Sequence, residues 1–180
     1  MNMRTKENFN LTKNITFYEY MEGGLPKLAK DYNWKSFNSL NEKEKEEFIN
    51  KAKNVAIEVQ KERDYINEHF EKENNGKEYT LYISCGFRCK EWELHQGRSG
   101  LGQHPIAAID FVIMNCSLEQ SAKMHKDIFD RRYKTWLGGF AIKYPTTSKG
   151  KLTTSGFIHI DCRIPDREHR QRGYGARWVY

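Results

Sequence analysis

The stretch A-A-I-D-F-V-I, residues 107–113, limits the fold more than any other part of the chain. It is apolar at alternate positions of both parities, so a strand built from it is buried on both faces. Such a strand belongs in the middle of a sheet. Asp110 interrupts it. A carboxylate inside a central strand must be paired or must hold a cation. The fold therefore has to bring compensating groups to Asp110 from elsewhere in the chain.

Two histidines are candidates. His104 lies six positions earlier, and His159 lies in F-I-H-I-D-C-R, residues 157–163. In that second stretch Ile158, Ile160 and Cys162 alternate with Phe157, His159, Asp161 and Arg163. Three ionisable groups on one strand face mark either a site or a solvent-exposed face. Two histidines and an aspartate make three ligands, the number that a catalytic zinc takes while keeping a position open for water. Six residues of straight strand span roughly 20 Å, far more than two ligands of one ion can be apart. The chain must bend between His104 and Asp110, and Pro105 is the place for it. H-E-x-x-H, the common helical zinc-protease motif, is absent from the sequence.

The remaining pattern places helices first and strands late. Residues 1–38 are expected to form an arm, with one short helical turn, packed on the domain. Ser39-Leu40-Asn41-Glu42 reads as a capping box. Phe48, Ala52, Val55, Val59 and Ile66 then share one face of a long helix that ends near Asn74-Asn75-Gly76. Residues 79–84 read as a strand, K-E-W-E-L-H-Q as a short helix, and G-R-S-G-L-G-Q-H as a glycine-rich loop. Ser117 and Gln120 open another helix that runs to about Tyr133. G-F-A-I-K is a strand, T-T-S-K-G-K-L-T-T-S-G a polar loop, and F-I-H-I-D the last clear strand. This order points to α+β: one domain over 1–180, with a small antiparallel sheet and flanking helices.

At 180 residues the chain is long enough to bury a substantial core. Its net charge of +6 favours an acidic partner, such as nucleic acid, anionic lipid or a cell-wall polymer. No recognisable nucleic-acid module is present; only the basic tail, residues 167–177, offers such a partner a footing. Cys85 and Cys89 form C-x3-C without a second close pair, so the four cysteines are expected to be reduced thiols, mostly buried. His95 and His169 read as surface or loop histidines. The N-terminus has no apolar core of a secretory signal, and no apolar run is long enough to span a membrane. Synthesis and retention in a cytoplasm are expected.

The site stretches resemble one known family. S-C-G-F-R (84–88), G-Q-H-P-I-A-A-I-D (102–110) and F-I-H-I-D-C-R (157–163) are similar to the motifs of the D-alanyl-D-alanine carboxypeptidase and dipeptidase superfamily of zinc peptidases. The nearest likeness is to its small phage and bacterial subgroup. It covers about residues 79–180 and includes G-G-F-A-I-K-Y-P and the R-W near the end. It implies a hedgehog/D-Ala-D-Ala-peptidase-like fold and Zn2+ bound by His104, Asp110 and His159. It implies that Arg88 holds a carboxylate or carbonyl of the substrate peptide. Several relatives place the general base where this chain has Gly156, and Asp161 is the nearest replacement as a catalytic residue. Cys85 and Gly102 stand where the pattern usually has serine, and the His-to-Asp spacing is one residue shorter.

The activity implied is hydrolysis of D-amino-acid-containing peptides of bacterial peptidoglycan, as carboxypeptidase or endopeptidase. It would act on the cell wall in phage lysis or as a virion component. The alternative is a catalytically inactive cell-wall-binding or virion structural protein of the same fold.

Overall fold

A computed structural model of the chain describes residues 8–133, 135–148, 151–154, 156–163 and 177–179. The elements run α1 (Phe17–Glu22), α2 (Lys27–Asn38), α3 (Glu42–Phe70), β1 (Thr80–Cys85), α4 (Lys90–His95), β2 (Ala108–Met114), α5 (Leu118–Tyr133), β3 (Gly139–Lys143), β4 (Thr146–Ser148), β5 (Lys151–Thr154), β6 (Phe157–Asp161) and β7 (Arg177–Val179). The sheet order is β1-β2-β6-β3-β7. The first four strands are antiparallel neighbours, and β7 pairs parallel to β3. The fold is thus α+β, a small antiparallel sheet with flanking helices. Among the described residues no helix is long and apolar enough to cross a membrane.

The sheet has two unlike faces. Ile109, Phe111 and Ile113 of β2, Ile158 and Ile160 of β6, and Phe140 and Ile142 of β3 are all buried. They form one cluster with Ala52, Val55, Val59 and Ile66 of α3 and with Met124 and Ile128 of α5. The opposite parity carries Asp110, His159, Asp161 and the small residues Gly139 and Ala141. In the sheet register Asp110 pairs with His159 and His159 with Ala141, while Asp161 pairs with Gly139.

Several local expectations shift. The capping box of α3 is Asn41 with Glu44, each bonding the other's backbone N–H (3.0 and 2.8 Å). Ser39 instead ends α2. Both Ser39 and Asn41 are good caps, and the end of the preceding helix decides between them. A 3₁₀ turn, Glu71–Asn74, follows α3 before Asn75 and Gly76 turn left-handed. The expected arm holds two helices, tied in by aromatic contacts such as Phe37 on Phe48 (5.3 Å) and Tyr20 on Phe48 (6.0 Å). The polar loop after β3 contains the β4–β5 hairpin. The box of Ser117 and Gln120 opens α5 as expected. The tail segment 164–176, with His169, lies outside the described residues; His95 is exposed and stacks on Tyr32.

Helices α3 and α5 are bolted together by charge. Glu62 is fully buried in α3 and bonds Arg131 and Arg132 of α5, the latter Nε at 2.5 Å. Arg132 Nη1 also reaches Glu58 at 2.9 Å. Truncating one partner strands the other in a medium that solvates charge poorly. Arg132→Ala is therefore expected to cost about 3 kcal/mol in urea unfolding. Replacing Glu62 and Arg132 together by leucine should cost less than the single truncation. Equal or larger loss in the double variant would show that the pair is not the bolt.

Candidate metal centre

Strand β2 gathers the site because its neighbours are set against Asp110. On one side Asp110 pairs with His159 of β6. On the other side the β1 register runs regularly from Thr80–Met114 to Ile83–Phe111, and then Cys85, not Ser84, pairs with Asp110. This bulge inserts Ser84 as an extra residue and turns Cys85 onto the carboxylate's face. His104 arrives from the preceding turn, in which Ile106 and Ala107 donate to Gln103 O (both 2.9 Å). The bend required at Pro105 is therefore present, and His104 Nε2 lies 3.3 Å from Asp110 Oδ2.

The segment that carries Cys85 and Arg88 is strapped to the N-terminal helices. Phe87 N donates to Tyr20 O at 2.8 Å. Buried Asn33 of α2 donates to Met21 O and Phe87 O (2.8 and 2.7 Å) and accepts from Cys89 N (2.9 Å). A Cβ on Gly86 would stand 2.2 Å from Tyr20 O, so this approach of two backbones needs glycine.

Each histidine has one nitrogen engaged and the other turned to Asp110. His104 Nδ1 lies 2.6 Å from Gly86 O, a carbonyl that can only accept. Nδ1 therefore carries the proton, and Nε2 faces Asp110. His159 Nε2 lies 3.0 Å from Asp161 Oδ2, and its Nδ1 lies 2.6 Å from Asp110 Oδ1. Asp161 is fully buried and also accepts from Gly139 N (2.9 Å), Arg163 N (3.0 Å) and Arg163 Nε (2.8 Å). Its carboxylate occupies the space a side chain would need at position 139, where a Cβ would meet Oδ2 at 2.1 Å. The polar face of β6 is thus a buried site and not a solvent-exposed face.

The electrostatics follow from this packing. Burial opposes charge on His104, but neighbouring Cys85 and Asp110 outweigh it and lift its pKa to about 9. His159 is raised as well: burial opposes, and its bonds to Asp110 and Asp161 prevail. Asp110 is held well below the ordinary carboxylate range, because its two histidine partners outweigh its burial. Asp161 is held low in the same way by Arg163 and His159.

One donor atom from each of Cys85, His104 and Asp110 lies within 4.8 Å of the others, a group that could hold a metal ion. His159 is not in that group; it reaches the same carboxylate through the other oxygen. The structure thus brings the expected ligands His104, Asp110 and His159 together around one carboxylate. It adds Cys85, which sequence reasoning counted only as a buried thiol. The available signal was its place in S-C-G-F-R, where serine is usual; the bulge that aims it has no sequence mark.

Arg88 lines the same cleft of about 600 Å³, together with Arg98, Lys143, Arg163, His104, Asp110 and His159. Arg88 Nε and Arg98 Nη1 each lie 3.0 Å from Oε1 of buried Glu93. Sequence reasoning missed Glu93, which fixes two guanidinium groups at the cleft from within a short helix. A scan against protein-family models matches none, and searches of the curated proteins and the solved structures return no match.

In the metal-free protein the raised histidines give stability a definite sign. Folded His104 binds its proton more tightly than the unfolded chain, whose histidine titrates near 6.5. Its contribution is whole below pH 6.5 and is lost as pH rises through about 9, and His159 adds the same sign. The melting temperature of chelator-treated protein should fall across that window, and Asp110→Asn should flatten the fall. An unchanged slope in Asp110→Asn would remove the carboxylate as the cause.

Proposed function

We propose that the chain is a zinc peptidase that hydrolyses D-amino-acid-containing peptides of bacterial peptidoglycan, with a hedgehog/D-Ala-D-Ala-peptidase-like fold. The observation that carries the reading is the direction of the two histidines. His104 Nε2 and His159 Nδ1 both face Asp110, while their other nitrogens are engaged by Gly86 O and Asp161. Metal-binding histidines are oriented in this way, by a carbonyl or carboxylate on the far nitrogen. Donors of the types histidine, aspartate and histidine suit Zn2+.

His104, Asp110 and His159 would hold the ion, which supplies polarisation of the scissile carbonyl and a water of lowered pKa. To hold the ion His159 would release any proton on Nδ1 to solvent, while Asp161 would keep the one on Nε2. Arg88, anchored by Glu93, presents a planar fork to a carboxylate or carbonyl of the peptide. Asp161, the expected catalytic acid–base group, is assigned to positioning His159, because Gly139, Arg163 and His159 already surround its oxygens. A net charge of +6 fits approach to an anionic wall, in lysis or as part of a phage virion.

Purified peptidoglycan digested with and without chelator, with products identified by mass, tests the activity. Chelator-sensitive release of peptide fragments is expected. Arg88→Ala should lower kcat/KM on the order of 10²-fold, as loss of a positioned charge donor does. Asp161→Asn should weaken metal affinity by about 10–100-fold while the chain stays folded. A second reading, an inactive wall-binding or virion structural protein of the same fold, is favoured by His159 standing outside the donor group and by Gly156 at the expected base position. Absence of stoichiometric metal and of cleavage would establish that reading over the first.

A further inference from the structure

The four cysteines have unlike surroundings. Cys89 caps α4 by accepting from Trp92 N at 3.4 Å. Cys116 donates to Ile113 O at 3.5 Å, and Cys162 is half-buried beside the core. Cys85 differs. It is 6% exposed, its Sγ lies 3.6 Å from His104 Nδ1, and it pairs with Asp110 in the sheet register. It owes that place to the bulge at Ser84, since a regular strand would pair Ser84 with Asp110 and turn Cys85 to the apolar face. An irregularity in β1 thus puts a sulfur beside the site.

We propose that Cys85 is itself a metal ligand, binding as a thiolate alongside His104 and Asp110, with His159 completing the shell. The inference rests on the metal-binding part of the reading above and not on its peptidase activity. On binding, the thiol proton leaves to solvent as the sulfur–metal bond forms. The donor set then becomes sulfur, two nitrogens and an oxygen. A thiolate selects zinc or cobalt over magnesium, calcium and manganese, which prefer oxygen donors. Four protein donors close the shell as in structural zinc and leave no position for a hydrolytic water, so ligation by Cys85 together with His159 supports the inactive reading, whereas Cys85, His104 and Asp110 alone leave that position open. Cys85 would therefore set both which metal is held and how open the centre is.

Cobalt(II) titration of the full chain, followed by absorption, tests this. The visible d–d bands report binding at any site of this kind, while a near-ultraviolet thiolate-to-cobalt charge-transfer band reports sulfur. Both are expected in the wild-type protein. Cys85→Ser and Cys85→Ala should lose the charge-transfer band and keep the d–d bands, and both should discriminate less between zinc and manganese in competition. If the wild-type protein shows d–d bands without charge transfer, Cys85 is not a ligand, although the metal reading stands. A charge-transfer band that survives in both variants would assign the sulfur elsewhere and overturn the inference. If no cobalt binds at all, the metal reading falls and this inference falls with it.

Discussion

A carboxylate in the middle of a sheet is the constraint around which this molecule is arranged. Asp110 stands on a strand with neighbours on both sides, and its side chain is only 17% exposed, so water solvates its charge poorly. The chain answers with a histidine from the adjoining strand and another from the turn before β2. The rest of the site supports those two rings. Gly86 O holds one, and Asp161 holds the other. Asp161 in turn needs the N–H of a glycine and an arginine two residues along its own strand end. Each layer of polar groups is satisfied by the next, which is how a buried network becomes rigid instead of costly.

The layers also divide the labour of the sheet. One parity of β2, β3 and β6 is Ile and Phe and seals against α3 and α5; the other carries Asp110, His159 and Asp161 beside the small residues Gly139 and Ala141, and these form the site. Charge is handled by the same rule on both sides. Glu62 is buried where two arginines meet it between helices, and Glu93 is buried where two arginines meet it at the cleft. The first pairing joins elements. The second holds cationic groups where an anionic ligand can reach them, since Arg98 remains half exposed.

Much of this was legible in the residues. Alternation placed His159 and Asp161 on one face, double-sided apolarity made β2 central, and the distance argument required the bend at Pro105. Helices α3 and α5 followed from three-and-four spacing and capping chemistry. What stayed hidden is non-local. Nothing around Ser84 announces a bulge, because the extra residue is defined only by the strand it faces. Asn33 lies in a stretch read as an arm, and nothing marks it until its partners, Met21, Phe87 and Cys89, are seen to converge on it. Glu62 reads as one more acid on a charged helix until α5 supplies its arginines. The choice of Asn41 over Ser39 as a cap depends on where α2 stops.

The Asn33 contacts have a consequence for how the chain can be cut or rebuilt. The motifs that suggest chemistry all lie after residue 79, which invites treating the first forty residues as dispensable. Yet the backbone bearing Cys85 and Arg88 is pinned by one side chain of α2 and one carbonyl of α1. The smallest unit that keeps this arrangement therefore includes both ends of that strap. A shortened version beginning at α3 would keep every candidate ligand in its sequence while losing the anchor that sets where Cys85 and Arg88 point.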